Sequence, residues 1–352
     1  MISQILKRIF GGPPVSLNVR IFDVQSSLQR NAEAWGYAPI YLKKAADPNI
    51  DSIERLKYII TFIVSGLVVT CKQLKPFNPL IGETFEGEFS DGSKVYAEHI
   101  GHYPTLSRFL MIGNDNDFKL HGCFDLDAKT ESFGGVIFII QKGDMIIELP
   151  KINQKYKYRM PIMKLENCRS EEERNCFITD FLEVEDMNNN LKAIIHFGCQ
   201  KKKICDFRGT IFNHNSNEIF ERKKVEKYMD KFEDFLEAKD LKKKQKIMND
   251  YPYPKILISG SFVQNISFDG IDYWNLDNDK AYVLKPIKFV LPSDSRFRED
   301  LLWLFFASYY SRNKEEYDQF MKISQGWKTE TEFIQRKERG IRAEYKKKLK
   351  KK

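Results

Sequence analysis

The sequence has few cysteines and histidines, and it lacks the short motifs that mark most enzymes. Its six cysteines form no CxxC pair and no disulfide-like spacing, which predicts a reducing compartment. Its five histidines show no recognisable metal-ligand spacing, so we predict no metal site. There is no Walker loop, no GxSxG turn and no plausible catalytic triad. Hydrolysis and phosphoryl transfer therefore lack support, and we expect no cofactor.

Long apolar runs are also missing. The longest run, Tyr58 to Cys71, is interrupted by Thr61 and Gly66 and is shorter than the roughly 20 residues that a membrane span needs. Lys7 and Arg8 break the short apolar stretch at the start, so no signal peptide is predicted. We expect a cytoplasmic protein whose contact with membranes is peripheral.

What the sequence does contain is aromatic side chains and positive charge. Apolar residues make up 42% and aromatic residues 13% of the chain, which is a globular composition with a weak tilt towards β structure. The formal net charge is +8, and lysines cluster in runs such as 346–352. Such a balance suits an anionic membrane surface or nucleic acid, and such runs are equally typical of solvated faces.

Three kinds of pattern follow one another along the chain. Helical spacing dominates residues 25–75, where Asp51 stands at the position of an N-cap. Short β-branched or aromatic segments separated by turn residues follow. We predict strands at 94–100, 119–126, 134–143, 144–150, 192–198, 205–213, 255–268 and 281–284. Charged helical patterns occupy 218–250 and 294–352.

This order predicts a single α+β domain over residues 1–352 that is dominated by β-strands. The strands at 80–290 form an antiparallel meander that closes into a barrel or sandwich, and the helices plug or flank the curved sheet. The pattern contains no internal repeat with a fixed motif.

The most informative stretch is Lys75 to Glu86, with the sequence KPFNPLIGETFE. Its prolines, glycine and asparagine fix the backbone of a loop, which presents N–H groups and polar side chains to a ligand at little entropic cost. The stretch resembles, nearly letter for letter, the signature of the lipid-binding domain of the oxysterol-binding protein family. Further segments resemble the helices and the closing strand of that family: 26–33, 53–66, 283–286 and 291–301.

The second family motif is present in a degenerate form. The family fingerprint EQVSHHPP corresponds here to Glu98–Thr105, EHIGHYPT. In the family, paired histidines hold the 4-phosphate of phosphatidylinositol 4-phosphate. His102 matches the first of them and Tyr103 the second. A tyrosine hydroxyl donates a hydrogen bond to a phosphate oxygen, but it does not carry the positive charge of a protonated histidine.

The third family element is a C-terminal helix with the spacing Lys-x₃-Glu-x₃-Arg, which Lys328, Glu332 and Arg336 match. Steps of four place all three side chains on one helical face, where they converge on one bound anion. The resemblance therefore implies a phosphoinositide headgroup site formed by Lys75, Asn78, Glu83, His102, Tyr103, Lys328, Glu332 and Arg336.

The resemblance also implies an architecture and a function. The fold is an incomplete antiparallel β-barrel around a lipid tunnel, with residues 1–20 as a lid that closes Ile5, Leu6 and Ile9 over the lipid. The function is non-enzymatic lipid transfer, in which phosphatidylinositol 4-phosphate exchanges with a sterol or phosphatidylserine. The expected partners are membrane lipids and anionic membrane surfaces at contact sites, and not nucleic acid. The alternative is a phosphoinositide sensor or tether that does not transport lipid.

Two further stretches resemble functional motifs, and each also has a simpler structural explanation. Residues 99–102 spell HIGH, a signature of class I aminoacyl-tRNA synthetases, but the flanking segments predict strands and not the start of a Rossmann unit. A stretch within the predicted helix 218–250 resembles the FFAT motif that docks on VAP proteins of the endoplasmic reticulum; alternatively, it packs on the barrel as an amphipathic helix. Its residues are Asp234, Phe235, Leu236, Glu237 and Ala238.

Overall fold

The computed structural model describes residues 22–70, 75–77, 79, 82–102, 105–132, 135–168, 175–198, 205–213 and 256–290. Three predicted regions lie outside the described residues. They are the lid with Ile5, Leu6 and Ile9, the helical segment 218–250 with the FFAT-like residues 234–238, and the C-terminal region 294–352.

Within the described ranges, three helices precede the large sheet. They are α1 (Ser27–Glu33), α2 (Ala38–Ala45) and α3 (Ser52–Thr70). The Asp51 carboxylate accepts hydrogen bonds of 2.8 Å from the backbone N–H groups of Ile53 and Glu54, which confirms the predicted N-cap. None of the helices in these ranges is long and apolar enough to cross a membrane.

Arg55 fixes the connection between α2 and α3. Its buried guanidinium donates from Nε to the carbonyl of Ala45 at 2.9 Å, and from Nη2 to the carbonyls of Asp47 at 2.9 Å and Ile50 at 3.0 Å. Buried carbonyl groups need such partners because leaving them unpaired costs free energy. One side chain therefore holds the turn between the two helices.

The strands form a short parallel pair and one long antiparallel sheet. The pair consists of β1 (Phe22–Ser26) and β2 (Lys75–Phe77). The long sheet contains β3 (Thr84–Phe89), β4 (Lys94–His102), β5 (Thr105–Ile112), β6 (Lys119–Glu131), β7 (Val136–Gln141), β8 (Met145–Leu149), β9 (Gln154–Arg159), β10 (Ile162–Glu166), β11 (Asn175–Asp186), β12 (Leu191–Phe197), β13 (Asp206–Asn213), β14 (Ile256–Ser261), β15 (Asn265–Phe268), β16 (Ile271–Asn275) and β17 (Leu284–Val290).

The order of strands shows how far the barrel closes. The path runs β16-β15-β14-β13-β12-β11-β10-β7-β6-β5-β4-β3-β17, and β8 and β9 bridge β6 to β11. In the described part of the chain, the terminal strands β16 and β17 do not pair with each other. The predicted fold class, a β-dominated α+β domain with an incomplete antiparallel barrel, is confirmed.

The helices share one apolar core with the inner face of the sheet. On β3, buried and half-buried residues alternate, so Phe85 and Phe89 point inwards. They belong to the same buried cluster as Leu56 and Ile60 of α3 and Trp35, which follows α1. Burial of this helical face and of the inward strand residues is the main favourable term in folding.

The sequence-based strand at 281–284 is wrong in its bounds, and the predicted strands do not include β3, β9, β10, β11 or β16. The Tyr282 N–H donates to the carbonyl of Gly36 at 2.8 Å, so the backbone before β17 bonds to the turn between α1 and α2. The Tyr37 hydroxyl donates to the Asp279 carbonyl at 3.2 Å, in the same connection. A contact with the helices therefore replaces the strand pairing that local propensity predicts.

The substitution Arg55→Met tests whether this guanidinium fixes the α2–α3 turn. It retains much of the apolar stem but leaves buried carbonyls unpaired, so we expect the free energy of unfolding to fall by roughly 2–4 kcal/mol. Urea unfolding followed by circular dichroism measures the change. The control Lys43→Met removes a cation whose side chain is 64% exposed and should change stability by less than about 0.5 kcal/mol. Equal losses in the two variants would contradict the assignment.

Candidate functional site

The structure describes part of the predicted headgroup site. It gives the backbone of Lys75 in β2 and of His102 in β4, and the complete side chain of Glu83. The other members lie outside the described residues: Asn78, Tyr103, Lys328, Glu332 and Arg336. The contacts of Lys75, His102 and these residues with a lipid stay predictions.

The parallel pair β1–β2 anchors the start of the signature loop. Its register places Phe22 opposite Lys75 and Ser26 opposite Phe77. Ser26 is also the N-cap of α1. The loop after β2 therefore starts beside the N-terminus of a helix, and Pro79 within the loop is buried.

Glu83 marks the other end of the loop. Its carboxylate is fully buried and accepts a hydrogen bond of 2.5 Å from the Ser26 hydroxyl. That hydroxyl oxygen accepts in turn from the Leu28 N–H at 3.3 Å. Since a buried carboxylate is costly without hydrogen bonds, this contact explains how Glu83 is tolerated inside the barrel.

His99 continues the same inward-facing row. The His99 N–H donates to the Glu83 carbonyl at 3.0 Å, and the Gly82 N–H donates to the His99 carbonyl at 2.8 Å. His99 is fully buried, and its Nδ1 lies 2.8 Å from the hydroxyl oxygen of Ser107 on the next strand. We call Ser26, Glu83, His99 and Ser107 the polar row.

Gly82 turns the loop into the sheet beside this row. Its φ is +82°, in the left-handed region that side chains with a Cβ rarely adopt. The glycine of the signature is therefore required by the backbone that brings Glu83 inwards.

The fingerprint residues form the hairpin next to the signature loop. His102 ends β4 and pairs with Thr105 at the start of β5. Thr84, which follows Glu83, lies opposite Glu98. The backbone thus brings two of the three family elements to one end of the barrel, although they are not adjacent in sequence.

An aromatic layer adjoins the polar row. Phe109 is the next inward residue of β5 after Ser107, and Phe124 lies opposite Ser107 on β6. Trp35 packs on both rings, with centroids 4.5 Å from Phe109 and 6.1 Å from Phe124. The interior therefore changes from polar to aromatic within one step along the strands, which suits an amphiphilic ligand.

Arg30 places a cation one helical turn after Ser26. Its side chain is buried, and its Nε donates to Gln25 at 3.2 Å. Burial lowers the pKa of the Arg30 guanidinium, and the nearby Glu33 carboxylate opposes this shift. Arginine stays protonated in proteins, so α1 carries a buried positive charge beside Gln25 and Glu33.

Sequence reasoning did not single out Ser26, His99 or Ser107 as site residues. Ser26 had a detectable signal, because it precedes a helical stretch as an N-cap residue does. His99 stands in the fingerprint where the family has glutamine. Ser107 had no signal, since only the strand register brings it to His99.

Two alternative site types are also tested by these residues. The HIGH stretch lies within β4 and continues into the antiparallel strand β5, so it does not form the strand-to-helix turn of a Rossmann unit. The synthetase alternative is therefore wrong.

Among the described residues, no group of three or more His, Cys, Asp or Glu side chains is arranged to hold a metal ion.

Comparisons with known proteins agree on one family. The family model "Oxysterol-binding protein" matches residues 13–352. The chain is similar to oxysterol-binding protein 9 of Dictyostelium discoideum, with 28% identity over 297 residues, 81% of this chain and 63% of the relative. It is also similar to oxysterol-binding protein-related protein 2 of Homo sapiens, with 27% identity over 213 residues, 58% of this chain and 43% of the relative. The chain thus spans less than two thirds of these relatives.

Solved structures share the fold. The chain is similar to the Osh3 ORD of Saccharomyces cerevisiae in complex with PI(4)P, with a TM-score of 0.58 and 19% identity over 78% of this chain and 65% of that chain. It is similar to the Osh1 ORD domain in complex with cholesterol, with a TM-score of 0.62 and 17% identity over 95% of this chain and 76% of that chain. At these identities the likeness concerns the fold.

Proposed function

This chain belongs to the oxysterol-binding protein family, and we propose that it is a non-enzymatic carrier that exchanges phosphatidylinositol 4-phosphate for a second lipid between membranes. The observation that carries the proposal is the end of the barrel, where the signature loop and the fingerprint hairpin meet above an aromatic layer. Solved relatives hold PI(4)P in one case and cholesterol in another, which supports two lipid classes as ligands.

The headgroup chemistry matches the predicted residues. An inositol phosphate carries several negative charges and hydroxyl groups, so its site needs clustered lysine and arginine donors with one or two carboxylate acceptors. We place Lys75, Asn78, Glu83, Lys328 and Glu332 at the inositol ring and the linking phosphate. His102, Tyr103 and Arg336 face the 4-phosphate. Glu83 is the member whose burial and hydrogen bond support a place at the inner end of this site.

The transport mechanism follows from one shared site. The lipid tail occupies an apolar tunnel in the barrel, and the second lipid, a sterol or phosphatidylserine, replaces the phosphoinositide there. The lid with Ile5, Leu6 and Ile9 opens at a membrane, where lysine runs such as 346–352 strengthen attraction to anionic lipid. The protein is cytoplasmic and binds membranes peripherally, and residues 234–238 dock on VAP proteins. No covalent chemistry takes part, in agreement with the family assignment.

A second candidate function is a phosphoinositide sensor or tether that binds without transport. Tyr103 favours it, because a site with one histidine carries less positive charge than the paired histidines of the family. Both candidates use the same headgroup site and differ only in whether the bound lipid leaves its membrane.

Removal of a basic group from the site tests its placement. We expect Lys75→Ala and Arg336→Ala to weaken binding to vesicles that contain phosphatidylinositol 4-phosphate by at least about tenfold, since each removes a charge-assisted hydrogen bond. Vesicle flotation measures the affinity. Lys94→Ala is the matched control, because this exposed lysine lies at the opposite end of β4 from His102. Unchanged binding by either site variant would show that the headgroup site lies elsewhere.

Restoration of the second histidine tests the fingerprint assignment. We expect Tyr103→His to strengthen binding of the 4-phosphate severalfold, and the gain should grow as the pH falls below about 6.5 because the imidazole becomes protonated there. Affinities for vesicles with and without the 4-phosphate, measured between pH 6 and pH 8, give the comparison. Weaker binding by the variant would mean that the site has been rebuilt around the tyrosine.

A transfer assay separates carrier from tether. We expect the protein to move labelled phosphatidylinositol 4-phosphate from donor to acceptor liposomes, and to do so faster when the acceptor contains the second lipid. Cholesterol and phosphatidylserine are tested separately in the acceptor. Headgroup-dependent binding without any lipid movement would contradict the carrier and support the tether.

A further inference from the structure

Ser26 is the side chain that joins the signature loop to the helical layer. We infer that Ser26 is a positioning residue of the phosphoinositide site, which holds the Glu83 carboxylate in the orientation that the headgroup requires. This inference rests on the proposed function, because it assigns a role within the same site.

The geometry of the Ser26 hydroxyl supports this role. The group is almost completely buried, and it has a single proton. That proton is donated to Glu83 Oε1 at 2.5 Å, while the hydroxyl oxygen accepts from the Leu28 N–H at 3.3 Å. The two bonds fix the hydroxyl from both sides, so the start of α1 and the orientation of the carboxylate depend on each other.

Backbone contacts hold the surroundings of this bond in place. Ser26 lies opposite Phe77 in the parallel pair, at the start of the loop. At the end of the loop, Gly82 and Glu83 exchange hydrogen bonds with His99. Both ends of the loop are thus anchored close to Ser26, and the side-chain bond restrains the rotation of the Glu83 carboxylate.

Loss of the hydroxyl changes the carboxylate directly. A buried carboxylate that loses one of its hydrogen-bond donors rotates towards its other partners or takes up a proton, because a buried charge with fewer hydrogen bonds is disfavoured. Either response removes a fixed acceptor from the headgroup site. We therefore expect Ser26→Ala to bind phosphatidylinositol 4-phosphate vesicles roughly tenfold more weakly.

Ser26→Gly separates the two bonds of the hydroxyl. Glycine at an N-cap supports a helix almost as well as serine does, whereas alanine does not. Both variants lose the bond to Glu83. If Ser26 positions the carboxylate, Ser26→Gly loses as much affinity as Ser26→Ala; if Ser26 only caps α1, Ser26→Gly binds like the wild type, and the inference is wrong.

Ser65→Ala is the control for the loss of a buried hydroxyl. Ser65 is fully buried in α3, and its hydroxyl donates to the carbonyl of Phe62 within the same helix at 3.0 Å. We expect this variant to bind the vesicles like the wild type. A matching loss in Ser65→Ala would show that any weakening of the fold reduces binding, and would overturn the inference.

A double-mutant cycle shows whether Ser26 acts through Glu83. The affinities of Ser26→Ala, Glu83→Ala and the double variant for the same vesicles are compared with the wild type, and melting temperatures are recorded for each. We expect the double variant to bind no more weakly than Glu83→Ala, because residues that act through one contact are not additive. Additive losses contradict the inference. A wild type that does not bind these vesicles contradicts the proposed function instead.

Discussion

Burial of the Glu83 carboxylate is the constraint on which the site depends. A charge inside a barrel is tolerated only where hydrogen bonds replace water, and the Ser26 hydroxyl supplies such a bond. The donor comes from the start of α1, so this hydrogen bond ties the carboxylate to the helical layer. The parallel pair β1–β2 and the bonds between Gly82 and His99 lie on either side of this contact. The end of the barrel that we propose as the headgroup site is thereby coupled to the helical layer.

Further hydrogen bonds fix the helical layer internally and attach it to the last strands of the sheet. Arg55 fixes the turn between α2 and α3 through three backbone carbonyls. The Tyr41 hydroxyl donates to the Tyr273 carbonyl at 3.1 Å, and the Tyr282 N–H donates to Gly36. These hydrogen bonds adjoin the shared apolar core, to which Tyr41 itself belongs. The helical layer is thus held to the sheet both by hydrogen bonds and by the shared apolar core.

Most of the local structure could be predicted from the sequence, because it depends on neighbouring residues. The cap at Asp51 and the strands bounded by turn residues follow from propensity and alternation. The contacts that build the site could not be predicted in this way. Ser26 meets Glu83, and His99 meets Ser107, only because strand register brings distant segments together. Among the missed strands, β16 has a local reason: Ile271 is exposed, and the strand has little apolar alternation. The family resemblance identified the candidate site residues, but it did not identify the side chains that contact and orient them.

We propose that one barrel binds phosphatidylinositol 4-phosphate and a second lipid in turn. Native mass spectrometry of the protein purified from its own cells tests this most directly. We expect a complex with one lipid per protein, a phosphoinositide with a single additional phosphate, which is replaced when the protein is incubated with vesicles that contain cholesterol or phosphatidylserine. A species that carries both lipids at once, or a protein that acquires no lipid from either kind of vesicle, would contradict it.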